Sequence, residues 1–345
     1  MMFGGLRRVA LAARPRRFST ATDQLNAQGY VLLKSVLPPS SLAQGVPPSF
    51  EESAQKTWEG AGFDYGIGDY EGGSVERATV QTGSEKQTQV YDVAAGSPAH
   101  QVVQPHAENA YLQKMPHFAA FGCLRPADEG GAMTLTDLVA AQNLLSESLR
   151  NKLFNLGVTY IRRMGDDKES PNWPFSTKTW QKRFGTESWE DAQQQVLQDE
   201  FYGQKAELAW EADTKTAALR WTVAGTARRP LATGGLGEAI VATSILGHHE
   251  LNDIVGDASY TGGEKPWPAP KHCTWGNGTE ITAEELKQMD GAYEDPSITK
   301  HVLLGAGDVV VVDNFRWAHG RVPYNGKREH VALFSVKVNR GVDAE

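Results

Sequence analysis

The residues best equipped for chemistry in this chain are gathered in the short run Pro105-His106-Ala107-Glu108. On an extended strand, side chains two positions apart point to the same face, roughly 6–7 Å apart along the chain. His106 and Glu108 can therefore converge on one metal ion. A third ligand has to come from elsewhere. His319 is the best candidate, because it follows the stiff apolar run Val309-Val310-Val311-Val312-Asp313-Asn314, which can hold a ligand at a strand end. Two histidines and one carboxylate on one face leave three positions open on an octahedral ion, the arrangement with which non-haem iron centres handle dioxygen. Spacing alone leaves the third place open to His100, His117, His248, His249, His272, His301 and His330 as well. His117 lies in an apolar run and reads as a hydrogen-bonded core residue. His248 and His249 are adjacent, so a strand would turn them to opposite faces and at most one can ligate.

The elements that must position these side chains are mostly short strands. Residues 29–33, 79–93, 117–124, 157–162, 307–315 and 330–338 have apolar or alternating patterns that predict strands, and residues 206–221 predict a hairpin. Ser49-Phe50-Glu51-Glu52 has capping-box spacing and predicts a helix through Trp58; Thr282-Ala283-Glu284-Glu285 predicts a second. Asp137 opens a helical pattern with Leu138, Ala141, Leu144, Leu145 and Leu149 on one face, and another helix is expected around residues 189–197. Residues 128–131 read as a turn, and the glycine-rich stretch 62–73 as a loop. Residues 255–280, rich in Gly, Pro and Trp, read as a long loop serving as a lid or an insertion. Many short strands with helices between them predict a mainly β protein, a jelly roll with inserted helices. The missing βαβ rhythm makes an α/β sheet the lesser option.

Composition narrows the function class. A chain of 345 residues buries a sizeable core without disulfides. Cys123 and Cys273, the only cysteines, are too far apart in sequence for a CxxC zinc site or a disulfide framework. No run of 18 apolar residues occurs, so no membrane span is expected. The balance of 34 basic against 42 acidic residues, a net charge of −8, argues against nucleic acid as the main partner. That charge is unevenly placed: Arg7, Arg8, Arg14, Arg16 and Arg17 all precede the first acidic residue, Asp23. Setting them aside leaves 29 basic against 42 acidic residues, a net of −13. An Arg-rich, acid-free start reads as an organelle transit peptide over residues 1–20. The run Arg16-Arg17-Phe18-Ser19-Thr20 favours the mitochondrial matrix over a plastid or the cytoplasm.

The joint pattern resembles a known family. His106-Ala107-Glu108-Asn109-Ala110-Tyr111, Pro116, Phe121-Gly122-Cys123 and Gly130-Gly131 are similar to the metal-binding half of the TauD/TfdA-like Fe(II)/2-oxoglutarate-dependent dioxygenases, closest to their clavaminate-synthase-like and aspartyl-hydroxylase-like branch. Gly307-Asp308-Val309, Asp313-Asn314, His319-Gly320-Arg321 and Arg328 are similar to the second half, and weaker likeness covers residues 30–38, 77–91, 157–162 and 228–234. The resemblance implies one oxygenase domain over residues 21–345, a double-stranded β-helix with a helical and loop insert at about 140–300. It also implies Fe(II) held by His106, Glu108 and His319, with 2-oxoglutarate as co-substrate.

The distal carboxylate of 2-oxoglutarate wants a bidentate cation, and Arg328 stands at the family's position for it. One departure matters. The family's threonine two residues after the Gly-Gly pair is Met133 here, so either Thr134 serves through a one-residue bulge, or the co-substrate is held more loosely, or the pocket has changed ligand. The implied reaction takes dioxygen and a small substrate, an amino acid or carboxylate by analogy with the branch, and releases succinate and carbon dioxide. Glu108, where related halogenases carry a small residue, favours hydroxylation or desaturation. Asn109, Tyr111, Tyr91 and Arg321 are the candidates to flank the substrate. Two competing readings stand beside this one: a jelly-roll metal-binding or regulatory protein that has lost turnover, and a cupin-like metalloenzyme that does not use 2-oxoglutarate.

Overall fold

The computed structural model describes residues 20–68, 89–93, 98–171, 173, 178–203, 205–249 and 268–341. The segment expected to be a transit peptide, apart from residue 20, the pattern at 79–88 and the loop residues 255–267 lie outside these. Three antiparallel sheets position the site. A six-stranded sheet runs Tyr30–Leu33, Val309–Asp313, Phe118–Arg125, Glu329–Ser335 and Ile67–Gly68, with Tyr91–Asp92 also pairing to Glu329–Ser335. A four-stranded sheet, here the ligand sheet, runs Thr299–Val302, Met133–Asp137, Trp317–Arg321 and Val103–His106. A second four-stranded sheet, the insert sheet, runs Glu207–Glu211, Thr216–Val223, Val158–Met164 and Lys271–Trp275.

Burial explains the sequence patterns. The six-stranded sheet is covered on both faces. Leu25, Phe50, Ala54 and Trp58 of the N-terminal helices pack on Val309, Val311, Val331 and Leu333. On the other face, Ala119, Phe121, Val310, Val312 and Ala332 meet Met133, Leu135 and Trp317 of the ligand sheet. A strand buried on both faces needs no polar alternation, hence the unbroken Val309–Val312 run, every residue of it fully buried. The insert sheet instead packs Tyr160, Trp221 and Trp275 against Ala107, Tyr111 and Leu112, the turn that follows His106. The segment expected as a helical and loop insert thus brings a sheet of its own.

Several local expectations need correction. The 49–60 helix forms, but Pro48 is its N-cap and no side chain caps it. Phe50 N–H donates to Pro47 C=O and Glu52 N–H to Pro48 C=O, so the proline pair starts the turn that Ser49 was expected to cap. The helical pattern from Asp137 is two helices, Leu138–Leu144 and Glu147–Asn155. Asp137 caps the first as expected, and Ser146 accepts from Leu149 N–H to start the second, leaving Leu144 49% exposed. The 128–131 turn carries a two-residue strand, Glu129–Gly130, paired with Tyr324–Asn325. Trp275, expected in a loop, is a fully buried strand residue. The capping box at Thr282 forms with both of its hydrogen bonds.

Candidate metal centre

His319 sits in the middle of Trp317–Arg321, a strand buried throughout. Leu135 is its Cα partner on one side and His106 on the other, which sets the two imidazoles 4.6 Å apart, centroid to centroid. The register slips between the His319–His106 and Arg321–Val103 pairs, so Gln104 and Pro105 together oppose Gly320. Proline, which has no N–H to give the ladder, suits such a bulge. Glu108 does not share a strand with His106, as the i, i+2 argument expected: the strand ends at His106, and Glu108 lies on the following turn. Its carboxylate is nevertheless brought home, with Oε2 3.8 Å from His319 Nε2. One ligand atom from each of His106, Glu108 and His319 lies within 4.8 Å of the other two.

That turn is fixed from a distance. Asn314 accepts from Glu108 N–H at 2.7 Å and donates to the carbonyls of Glu108 (3.0 Å) and Pro116 (2.9 Å). Asn109 takes a left-handed φ of +58°, a conformation asparagine tolerates better than most residues. His106 Nδ1 is 2.8 Å from the carbonyl of Gln104, which can only accept, so Nδ1 carries the proton and Nε2 keeps its lone pair for a metal. Two imidazoles and a carboxylate that is only 2% exposed, with one tautomer already set by a backbone carbonyl, fit a divalent transition-metal ion such as Fe(II).

Arg328 is buried. Its Nη2 donates to His330 Nδ1 at 2.8 Å, and its guanidinium lies 5.6 Å from the Tyr324 ring centroid. Burial, and then the Arg321 charge, push Arg328 down to about 10. Burial, followed by the Arg328 and Arg321 charges, pushes His330 down to about 3, which keeps it a neutral acceptor. Arg328 Nε is buried without a hydrogen-bond partner, a donor left over at this cationic place.

The remaining candidates sort by register. Met133 opposes Arg321 and Leu135 opposes His319 without a slip, so Met133 and Leu135 share the face of His319. Thr134 opposes Gly320 on the other face, and no bulge turns it inward. Tyr91 packs between the sheets, 6.1 Å from the Phe334 ring. Arg321 donates to the carbonyls of Pro98 and Gln101, which ties down the chain before Val103. Tyr111 O–H reaches Asn109 Oδ1 at 3.4 Å, and its ring lies 4.8 Å from His248.

Other histidines are spent elsewhere. His117 is fully buried with Nε2 3.6 Å from Asp313. Burial alone would raise the Asp313 carboxyl, but His117 and Arg229 bring it below its usual range. His249, His272 and Glu280 form a second group within 4.8 Å; its carboxylate is exposed and already 3.1 Å from His272 Nε2. The sequence gives no sign of the positioning roles of two residues. Asn314 was noticed only as part of a motif, and Arg340, which is fully buried and grips the carbonyl of Ala110, follows a strand with no sign of its role.

The buried imidazoles give a pH dependence. Burial, followed by neighbouring charge, holds His248 well below its usual 6.5, His249 at about 4 and His330 at about 3. In the unfolded chain each titrates near about 6.5. Below that pH the unfolded state binds more protons, so stability falls as pH drops from about 6.5 toward 4. Urea midpoints measured across this window are expected to decline steadily; a flat profile contradicts the assignment.

Comparison with known proteins gives the chain its family. The model of the taurine catabolism dioxygenase TauD, TfdA family matches residues 44–333. The dapdiamide synthesis protein DdaC of Enterobacter agglomerans is 24% identical over 250 residues, which span 67% of this chain and 64% of that protein. Among solved structures, an asparagine oxygenase in complex with Fe(II), 2S,3S-3-hydroxyasparagine and succinate superposes with a TM-score of 0.48 at 13% identity, covering 91% of this chain and 77% of that one. PvcB from Pseudomonas aeruginosa gives 0.43 at 14% identity, covering 92% and 80%. The family match extends over most of the chain and includes all three ligands of the centre built above: this protein belongs to the TauD/TfdA family.

Proposed function

We propose that the chain is an Fe(II)- and 2-oxoglutarate-dependent dioxygenase that hydroxylates or desaturates a small amino-acid or carboxylate substrate, releasing succinate and carbon dioxide. The six-stranded sheet and the ligand sheet are read as the two halves of a double-stranded β-helix. The observation that carries the proposal is the convergence of His106, Glu108 and His319 within 4.8 Å of one another, on two paired strands and a clamped turn.

Iron bound there, with 2-oxoglutarate and dioxygen, supplies decarboxylation of the keto acid coupled to two-electron oxidation of a substrate C–H bond. The protein's part is positional. Gln104 C=O fixes the His106 tautomer and Asn314 fixes the Glu108 turn. Arg328, aimed by neutral His330, offers its free Nε to the distal carboxylate of 2-oxoglutarate. Phe121, 4.8 Å from the His319 ring, covers one flank against water.

Succinate formation from 2-oxoglutarate, dependent on Fe(II) and lost in His106→Ala, tests this reading; succinate formation unaffected by the substitution overturns it. Met133 cannot donate a hydrogen bond to the co-substrate as the family's threonine would. Met133→Thr is therefore expected to lower the KM for 2-oxoglutarate roughly tenfold, and an unchanged KM contradicts that placement. The acid-free arginine-rich start further supports a mitochondrial-matrix address for the chain. Residues 1–20 fused to a fluorescent protein are expected to send it there, and a cytosolic or plastid signal contradicts this.

A further inference from the structure

The inner face of the insert sheet is apolar except at one place. Val158, Tyr160, Trp221, Cys273 and Trp275 are buried on it, yet Arg162 and Lys271 share the same face as directly opposed Cα partners. Arg162 is 4% exposed, and its guanidinium lies 5.4 Å from the Trp221 ring centroid. Its Nε and Nη2, the two donors of one guanidinium edge, are buried without a hydrogen-bond partner. Among the described residues, no carboxylate pairs with either cation. Burial, and then the Arg162 charge, push Lys271 down to about 8.

Two like charges facing each other on an apolar sheet destabilise the fold unless an anion lies between them. A structural ion pair would have brought its acid along. The arrangement therefore suits an anion that arrives from outside, and a free Nε/Nη2 edge matches the two oxygens of a carboxylate. The same face touches the segment after Glu108: the Tyr160 ring lies 6.1 Å from that of Tyr111, and Trp221 Nε1 donates to the Tyr111 carbonyl. His248 is within electrostatic reach of Lys271, Arg162 and His106 together, and its ring lies 4.8 Å from Tyr111, three residues after Glu108. The Arg328 pocket, by contrast, is built where the ligand and six-stranded sheets meet.

We propose that Arg162 and Lys271 form the subsite for the carboxylate group of the substrate, Arg162 binding it side-on and Lys271 adding a third donor. This rests on the oxygenase reading above and assigns that enzyme's substrate a free carboxylate, delivered from the insert sheet, as distinct from the 2-oxoglutarate carboxylate at Arg328.

The test uses the full chain with 2-oxoglutarate present, titrated with sodium acetate, acetamide and inorganic phosphate at matched ionic strength and read by thermal unfolding. Acetate is expected to raise the wild-type Tm saturably, and acetamide, its uncharged isostere, to leave it unmoved. Lys271→Met and Arg162→Gln are expected to melt above the wild type without ligand, because each removes a repelled buried charge. Both are expected to need roughly tenfold more acetate for the same shift. Variants that melt below the wild type, variants that respond to acetate as the wild type does, or a wild type that answers phosphate but not acetate would each overturn the proposal. Failure of the oxygenase reading shows differently: the wild type makes no succinate from 2-oxoglutarate while its acetate response persists.

Discussion

Replacing His319 by alanine is expected to strip the protein of iron and of 2-oxoglutarate turnover while leaving it folded. In the proposed centre the imidazole is one of three protein donors, and loss of even an outer partner of a ligand commonly weakens metal binding about 10–100-fold. Loss of a donor itself is expected to exceed that. The strand that carries it has reasons of its own to persist: it pairs with Met133–Asp137 through five residues, and Trp317 donates to Gln28 C=O at 2.7 Å. Iron per chain after gel filtration, succinate formation and near-UV circular dichroism check the prediction together. A His319→Ala protein that keeps a full complement of iron contradicts it.

Arg340→Met is expected to be the most damaging single change for stability. Arg340 is 1% exposed and donates to the carbonyls of Ala110, Ala224, Thr226 and Ala242, at 2.6 Å to the first and last. It thereby ties the turn after Glu108 to the insert. Methionine matches much of its volume but leaves up to four buried carbonyls without this donor, each at about 1–3 kcal/mol, so a loss of at least about 4 kcal/mol is expected. Arg340→Lys is expected to recover less than half of that, since one ammonium cannot span four separated acceptors. Urea unfolding measures both. A loss under about 1 kcal/mol for the methionine variant means that the guanidinium is not what joins these segments.

What the sequence made legible follows from what is local. Val309–Val312 could be read as a strand because an unbroken β-branched run has few other uses. The cap at Thr282 could be read because its partner is three residues away. The three ligand types were legible too, but their arrangement was so only in part. Glu108 leaves the strand of His106, and its place depends on Asn314, more than two hundred positions on. The Ser49 cap failed where a neighbouring proline pair offered its carbonyls first. Whether Met133 or Thr134 faces the interior turns on strand register, which a sequence without a bulge signal does not reveal. Arg162 and Lys271 lie more than a hundred residues apart and become a pair only once Lys271–Trp275 docks beside Val158–Met164.

The most direct measurement of the central claim is an anaerobic titration of Fe(II) into the metal-free full-length protein with 2-oxoglutarate present, followed by visible absorption. One equivalent of iron is expected to bring up the charge-transfer colour of a keto acid chelated to Fe(II). Both the colour and the bound iron are expected to be lost when Glu108 is replaced by alanine. Iron that binds at one equivalent and develops the same colour in Glu108→Ala would contradict the claim that His106, Glu108 and His319 hold a single ion.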